Sequence, residues 1–160
     1  MSPGSFGSVR LRRAEAADCA FVWNVNNEPS VRAQSIRSAP IPFEEHAAWF
    51  ARKLADANAL LWVAEAPEAV GVVRCDRAAA GAEISLALTP GARGRGLGAA
   101  MIAAASAAAA EALGVSVVVA LVRPENQASL RAFARAGFSH AGRESREGVA
   151  LERLEWRGLA

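Results

Sequence analysis

A glycine-rich segment at residues 93–99 carries the sharpest chemical signal in the chain, with the sequence RGRGLGA. It follows a predicted strand and opens a predicted helix. Glycine lets the backbone approach a ligand closely, because no Cβ intervenes. The first N–H groups of a helix lack intrahelical partners, and the helix dipole adds partial positive charge at that end. These features predict an anion site suited to a pyrophosphate, to which Arg93 and Arg95 add charge-assisted hydrogen bonds.

Two other phosphate-binding loops fit this segment less well. A P-loop ends in Gly-Lys-Ser/Thr, and the segment contains no lysine. The dinucleotide fingerprint G-x-G-x-x-G/A does match at Gly94, Gly96 and Ala99. That fingerprint requires an acidic residue at the end of the next strand, but the strand predicted over 115–122 is followed by Arg123. A glycine-rich turn that only tightens a strand–helix junction is the remaining, purely structural interpretation.

A second block supports a cofactor role for the segment. Residues 126–138 follow the pattern N-x-x-S-L-x-x-F-x-x-x-G-F, and the glycine segment contains R-x-x-G-x-G. In type, order and separation these blocks resemble those of the GNAT N-acetyltransferases, and the resemblance extends from Val9 to Trp156. It implies a single α/β (α+β) domain over 1–160. The central sheet would be mixed and mostly antiparallel, with two splayed parallel strands and helices on both faces.

The resemblance also implies where acetyl-CoA binds as the co-substrate. The pantetheine arm would lie between the splayed strands and pair with the backbone of the first of them. The pyrophosphate would bind amides at the start of the following helix. The motif asparagine would contact the pantetheine, although a helix N-cap is an alternative and compatible role. The expected cofactor-binding residues are Leu86, Ala87, Leu88, Arg93, Gly94, Arg95, Gly96, Leu97, Gly98, Ala99, Asn126, Ser129 and Phe133.

Acetyl transfer to an amine needs a group that removes a proton, because most primary amines are protonated at neutral pH. Glu83 is the predicted base, since it is the only acidic residue on the strand expected over 82–89. Alternation along that strand places Glu83, Ser85 and Ala87 on one face, where Ser85 is expected to hold a water or the substrate. A glutamate that is solvated, or paired at the sheet edge, is the alternative interpretation.

The chain departs from the family pattern at Phe133. GNAT enzymes commonly have a tyrosine there, which protonates the departing thiolate, and this chain contains no tyrosine. A thiol with a pKa of about 8.5 is a tolerable leaving group, so we expect slower turnover rather than none. The same departure leaves open a second function class, a CoA-binding module with little turnover.

The N-terminal half bears on the identity of the acceptor. Residues 27–50 resemble the GNAT domains of the pseudaminic-acid pathway, which acetylate the 4-amino group of a nucleotide-linked amino sugar. The expected substrate residues are Asn27, Arg32, Ser35 and His46, because sugar hydroxyls and a diphosphate need hydrogen bonds and positive charge. Ordinary surface roles are the alternative for each. A protein N-terminus, a lysine or another small amine also stays open as the acceptor.

The elements that must position these residues follow from hydrophobic period and from proline and glycine positions. Strands are predicted at 8–13, 59–65, 69–76, 82–89, 115–122, 138–143 and 149–156, and helices at 16–27, 42–54, 99–112 and 126–136. Pro29 is predicted to end the first helix, and residues 34–41 are predicted to be irregular. This order indicates a mixed sheet with helices on its faces.

Length and composition limit the remaining possibilities. The chain has 160 residues, 52% of them hydrophobic and 21% charged, which is typical of one globular domain. The net charge of +2 comes without a dense basic run, so no nucleic-acid partner is expected. No membrane segment or signal peptide is predicted. Two distant cysteines and two histidines predict a reduced, cytoplasmic protein without a metal site. A monomer or a homodimer is expected, and the composition does not choose between them. Residues 1–8 are predicted to be poorly ordered.

Overall fold

The computed structural model describes residues 8–158, which form seven strands and five α-helices. The strands are β1 (Arg10–Arg13), β2 (Ala59–Glu65), β3 (Ala69–Ala78), β4 (Gly81–Leu88), β5 (Val117–Val122), β6 (Ser139–Arg146) and β7 (Val149–Arg157). The helices are α1 (Cys19–Asn26), α2 (Pro29–Gln34), α3 (Phe43–Ala55), α4 (Leu97–Leu113) and α5 (Gln127–Arg135), with short 3-10 turns at Ala16–Asp18 and Pro90–Ala92. The predicted disorder of residues 1–8 lies outside the described residues, Ser8 excepted.

The order of elements agrees with the prediction except at α2. The sequence predicts that Pro29 ends the first helix, but α1 ends at Asn26 and Pro29 lies in the first turn of α2. Proline suits that turn, because the N–H it lacks would have no helical partner there. The Glu28 side chain caps α2 by accepting hydrogen bonds from the backbone N–H groups of Ser30 and Val31.

The seven strands form one sheet in the order β1-β2-β3-β4-β5-β7-β6. Neighbouring strands are antiparallel except β4 and β5, which are parallel. The β4–β5 contact is short: Ala82 pairs with Val118, and Glu83 pairs with Val119. The described strands therefore diverge beyond Glu83, which confirms the mixed sheet with two splayed parallel strands.

Side chains of β4 alternate between two hydrophobic clusters. Ala82 and Ile84 belong to the cluster beneath α4 and α5, which also contains Met101 and Phe133. Ala87 points to the opposite face and packs in a second cluster with residues of α1 and α3. Helices therefore cover both faces of the sheet. One side of β4 faces α4 and α5, and the other side faces α1 and α3.

Helix α4 is alanine-rich and largely buried, as its composition predicts. It ends at Gly114, which has a left-handed φ of 65° that glycine adopts without steric cost. Among residues 8–158, no helix combines the length and apolarity needed to cross a bilayer.

Gly81 fixes the closed end of the divergent pair, and its replacement should destabilise the fold. Its φ is 142°, and a Cβ at this position would lie 2.2 Å from the Val117 carbonyl oxygen. We expect Gly81→Ala to lower the unfolding free energy by about 2 kcal/mol or more, since it combines backbone strain with displacement of β5. Urea unfolding measures this. Gly91→Ala is the matched control, because a Cβ there meets nothing within 4 Å. Equal urea midpoints for Gly81→Ala and Gly91→Ala would contradict the role of Gly81 in the close approach of β4 and β5.

Candidate active site

The divergence of β4 and β5 leaves a cleft at the centre of the sheet. Residues 84–88 of β4 pair with β3 on one side, but no pairing with β5 is described for them. Residues 120–122 of β5 pair with β7 on their other side, and no pairing with β4 is described for them. Backbone N–H and C=O groups along the cleft are thus open to an extended ligand, which can bind as an added strand would. The cleft includes Leu86, Ala87 and Leu88, where the sequence predicts the pantetheine arm.

The glycine segment lies at the open end of this cleft and begins α4. Gly94 and Gly96 both have left-handed φ values, 77° and 75°. Gly96 is the N-cap of α4 and supplies no side-chain acceptor for the first helical N–H groups. Left-handed residues alternating with ordinary ones turn successive N–H groups toward one concave point, which is an anion-binding geometry. The local geometry therefore has the form that the sequence predicts for a pyrophosphate site.

Other side chains of this segment support the helix junction. Leu97 and Ala99 are buried in the core, so only their backbone is available to a ligand. A Cβ at Gly98 would lie 3.6 Å from Ala132 Cβ, which places α4 close to α5 at this point. The glycine thus brings the start of α4 beside α5.

The two arginines of the segment contact groups outside it. Arg93 donates from Nη2 to Glu28 Oε2 at 3.0 Å and toward the Leu88 carbonyl at 3.4 Å. Arg95 donates to the Ala66 carbonyl at 3.3 Å and lies 3.7 Å from Glu68. Their predicted phosphate contacts would need these guanidinium groups to turn, so that role stays a prediction.

Arg135 is a cation near the glycine segment that neither sequence motif singles out. A Cβ at Gly96 would lie 3.9 Å from Arg135 Nη1, so this guanidinium faces the start of α4. Arg131 and Arg135 are one turn apart on α5, and spacing alone does not tell which of them faces the loop.

The second motif block forms the start and core of α5. Asn126 Oδ1 accepts a hydrogen bond from the Ser129 N–H at 3.2 Å, so Asn126 is the N-cap of the helix. Phe133 is 2% exposed and packs edge-to-face on Phe138, with ring centroids 5.0 Å apart. The Phe133 ring therefore belongs to the core and has almost no accessible surface, and its expected place near the thioester stays a prediction.

Glu83 lies where β4 and β5 begin to separate. Its carboxylate accepts a hydrogen bond from Arg146 Nη1 at 2.9 Å. The β3–β4 register is regular, so Glu83, Ser85 and Ala87 share one face as predicted. Ser85 is exposed on this face. The base and the hydroxyl proposed from sequence are thus brought together beside the cleft, with an arginine as the partner of the base.

Charged residues of β3 extend this face. Asp76 is the cross-strand neighbour of Glu83, and Arg74 is the neighbour of Ser85. Asp76 accepts from Lys53 and from Arg74, both at 2.7 Å. Arg74 also lies over the ring of Trp49 at 5.1 Å. The floor beside the cleft is therefore polar, and its charges are mutually paired.

The predicted substrate residues in and just after α1 and α2 form an internal network. Arg32 donates to the carbonyl oxygens of Asn26 and Arg37, each at 2.9 Å, and to Ser35 Oγ at 3.0 Å. Asn27 Oδ1 accepts from the Ile41 N–H at 2.8 Å. These bonds shape the segment between α2 and α3. The predicted substrate role of Asn27, Arg32 and Ser35 stays a prediction, and a substrate would have to compete with these internal bonds.

The same segment, residues 35–42, is tied to the far side of the cleft. Arg123, which follows β5, donates to the Ser35 carbonyl at 2.8 Å. Arg37 pairs with Glu147 at 2.9 Å, at the turn between β6 and β7. The segment therefore connects α2 to the end of β5 and to the β6–β7 turn, both across the cleft. It forms one wall beside the face that carries Glu83.

His46 is buried rather than available to a substrate. It is 2% exposed, stacks on Phe50 with centroids 5.7 Å apart, and donates from Nε2 to the Cys19 carbonyl at 3.0 Å. The alternative of a solvated histidine is wrong, because the ring packs α3 against α1. The predicted substrate role of His46 stays a prediction, and it would require the ring to become accessible. Burial lowers the pKa of His46, opposed by the hydrogen bond to Cys19.

This burial predicts a specific pH dependence of stability. The folded state disfavours the protonated ring, whereas the unfolded chain protonates it near pH 6.5. Stability should therefore fall as the pH drops below about 6.5, because the unfolded state then binds more protons. Urea unfolding at pH 7.5 and 5.5 should show a smaller difference for His46→Phe than for the wild type. An identical pH dependence in both proteins would contradict a buried neutral His46.

Comparison with known proteins places these features in a family. A family model described as the acetyltransferase (GNAT) domain matches residues 8–139. The chain belongs to the GNAT acetyltransferases. A similar solved structure is a spermidine N-acetyltransferase from Vibrio cholerae in complex with CoA and spermine, with a TM-score of 0.82 and 19% sequence identity to this GNAT chain. The match covers 93% of this chain and 95% of the Vibrio cholerae chain. The aminoglycoside acetyltransferase AAC(6')-Ib, solved with CoA, has a TM-score of 0.80 and 16% identity, and the match covers 94% of this chain and 95% of the AAC(6')-Ib chain. These similarities show a shared fold. A search of curated proteins finds no match.

Proposed function

We propose that the protein transfers an acetyl group from acetyl-CoA to a primary amine of a small molecule, by direct attack in a ternary complex. The observation that carries this proposal is the order of three features along the cleft between β4 and β5. An uncapped helix start with left-handed Gly94 and Gly96 opens onto the cleft between β4 and β5, and Glu83 lies where the cleft closes. The proposed phosphate site, the proposed channel for an extended amide chain and the Glu83 carboxylate thus follow one another. CoA in the AAC(6')-Ib and spermidine acetyltransferase structures supports the choice of donor.

The geometry supports a division of labour among these parts. N–H groups from Gly94 to Ala99 would hold the pyrophosphate, and the open edge of β4 would pair with the pantetheine amides. An unpaired backbone N–H of β4 near the thioester would stabilise the oxyanion. Glu83 would accept a proton from the acceptor ammonium, directly or through a water held by Ser85.

The reaction balances without a covalent enzyme intermediate. The neutral amine attacks the thioester carbon, a C–N bond forms, the C–S bond breaks and CoA leaves as thiolate. The nitrogen then loses its second proton to solvent and becomes the neutral amide. Solvent can protonate this thiolate, whose conjugate acid has a pKa of about 8.5. Cys75 is unsuited to carry the acetyl group, because it is buried on β3 and burial raises the pKa of its thiol to about 12.

The acceptor class is the finer part of the proposal. The aminoglycoside and spermine in the related structures support a small, positively charged amine. The resemblance of residues 27–50 favours a nucleotide-linked amino sugar. Against it, Asn27, Arg32 and Ser35 are occupied by internal hydrogen bonds, which leaves these side chains little capacity to bind a diphosphate. We therefore place small cationic amines first and the nucleotide amino sugar second.

The test is thiol release from acetyl-CoA in the presence of separate amines. The panel contains a polyamine, an aminoglycoside, a UDP-linked 4-amino sugar and a peptide with a free N-terminus and a lysine. We expect turnover of the polyamine or the aminoglycoside above the rate without acceptor. Selective turnover of the UDP sugar or of the peptide would reverse the order of acceptors. No release with any amine, while CoA still binds, would replace the proposal with a CoA-binding module.

A further inference from the structure

The Glu28 carboxylate links the start of α2 to Arg93 of the glycine segment. It caps α2 through the N–H groups of Ser30 and Val31, accepts from the Ser30 hydroxyl, and receives Arg93 Nη2 at 3.0 Å. The hydrogen bond from Ser30, and after it the one from Arg93, lower the pKa of Glu28. Glu28 is therefore ionised at neutral pH, and its counterion is an arginine of the proposed pyrophosphate site.

Glu28 also borders a pocket between α1 and the end of β4. The pocket has a volume of about 500 Å³ and is lined by Phe21, Asn24, Val25, Glu28, Thr89 and Pro90. Glu28 is the one charged residue among the six that line it. Phe21 and Pro90 offer apolar surface beside a carboxylate. That combination is complementary to an alkyl chain carrying an ammonium group.

Arg93 faces two anions once CoA is bound. The pyrophosphate would attract the guanidinium, because Arg93 directly precedes the loop whose N–H groups are proposed to hold it. A guanidinium that moves toward the pyrophosphate leaves the Glu28 carboxylate without its counterion, next to additional negative charge. A second cation in the pocket then becomes favourable.

We propose that Glu28 is the specificity-determining residue that binds the cationic end of the acceptor amine, and that CoA makes it available by drawing Arg93 away. This inference deepens the proposed function and rests on it for the identity of the two ligands. It predicts positive coupling, in which CoA tightens the binding of the amine and the amine tightens the binding of CoA by the same factor.

The test is calorimetric titration of the full chain with 1,4-diaminobutane, with and without saturating CoA, which cannot donate an acetyl group. We expect the wild type to bind the diamine about tenfold or more tightly with CoA present. Glu28→Gln keeps an oxygen that can cap α2, so it should fold, bind CoA at least as tightly and lose this difference. Arg93→Gln should bind the diamine without CoA about as well as the wild type does with it.

Glu68→Gln is the matched control, because Glu68 is the carboxylate near the other loop arginine, Arg95, and lies outside the pocket. It should keep the coupling. Coupling retained in Glu28→Gln, or absent from the wild type, would overturn the inference. The outcome is separable from the proposed function. Thiol release by a Glu28→Gln variant with unchanged diamine binding refutes only the subsite, whereas CoA-dependent diamine binding without turnover refutes only the acetyl transfer.

Discussion

Replacing Gly96 with aspartate should abolish CoA binding, with a loss of affinity of at least about 100-fold, or about 2.7 kcal/mol. Gly96 has a φ of 75°, which most residues with a Cβ adopt only with strain, and it is the N-cap of α4. An aspartate there would place a carboxylate next to the N–H groups that are proposed to bind the pyrophosphate, and it could accept their hydrogen bonds. Its negative charge would then repel the pyrophosphate. Calorimetric titration with CoA measures the effect.

A control at the other end of the same helix separates the loss of the site from the loss of stability. Gly114 is also left-handed, with a φ of 65°, and a Cβ there meets nothing within 4 Å. Gly114→Asp therefore introduces the same residue into a similar backbone conformation on α4, away from the cleft. It should lower the unfolding free energy and leave CoA affinity unchanged. Normal CoA binding by Gly96→Asp would contradict the proposal that the glycine segment binds the pyrophosphate.

Replacing Glu83 with glutamine should lower kcat by about 10²- to 10⁴-fold while CoA affinity stays unchanged. Glutamine keeps the shape of the side chain and an oxygen that can accept from Arg146, but it cannot take a proton from the acceptor. The effect should appear in kcat rather than in the binding of CoA, because Glu83 lies at the closed end of the cleft, away from the glycine loop. Steady-state thiol release with the amine selected from the panel measures it.

Glu144→Gln is the matched control for Glu83→Gln. Glu144 lies on β6, where Arg153 approaches it at 3.5 Å, and it holds no position in the proposed site. Its rates should stay within a factor of about two of the wild type, since surface substitutions usually change little. Equal rates for the wild type and Glu83→Gln would exclude Glu83 as the base and direct attention to water near Ser85.

The sequence could predict the parts of the molecule that depend on local pattern. The alternation of β4, the alanine helix α4 and the left-handed Gly96 follow from residue types along a continuous stretch. The splayed strands were available only through the resemblance to a family. The short helix α2 was missed because proline both ends one helix and begins another, and six residues give too little periodicity to decide.

The acceptor side could not be predicted in the same way, because its polar groups pair over long distances in sequence. Arg93 and Glu28 are 65 residues apart, and Arg123 and Ser35 are 88 apart. A polar side chain that looks available in the sequence can therefore be occupied in the fold, as Arg32 is. His46 shows a related limit: its spacing from Phe43 and Phe50 places it on the apolar face of α3, but only the fold shows that this face packs against α1.

The stoichiometry of acetyl transfer tests the central claim most directly. The full chain is incubated with acetyl-CoA labelled in the acetyl carbonyl and the amine selected from the panel, and the label is counted in the amine, in the protein and as free acetate. Direct attack in a ternary complex predicts one labelled amine for each thiol released, with no label on the protein. Label retained on the protein, or thiol release matched by free acetate instead of acetylated amine, would contradict the account.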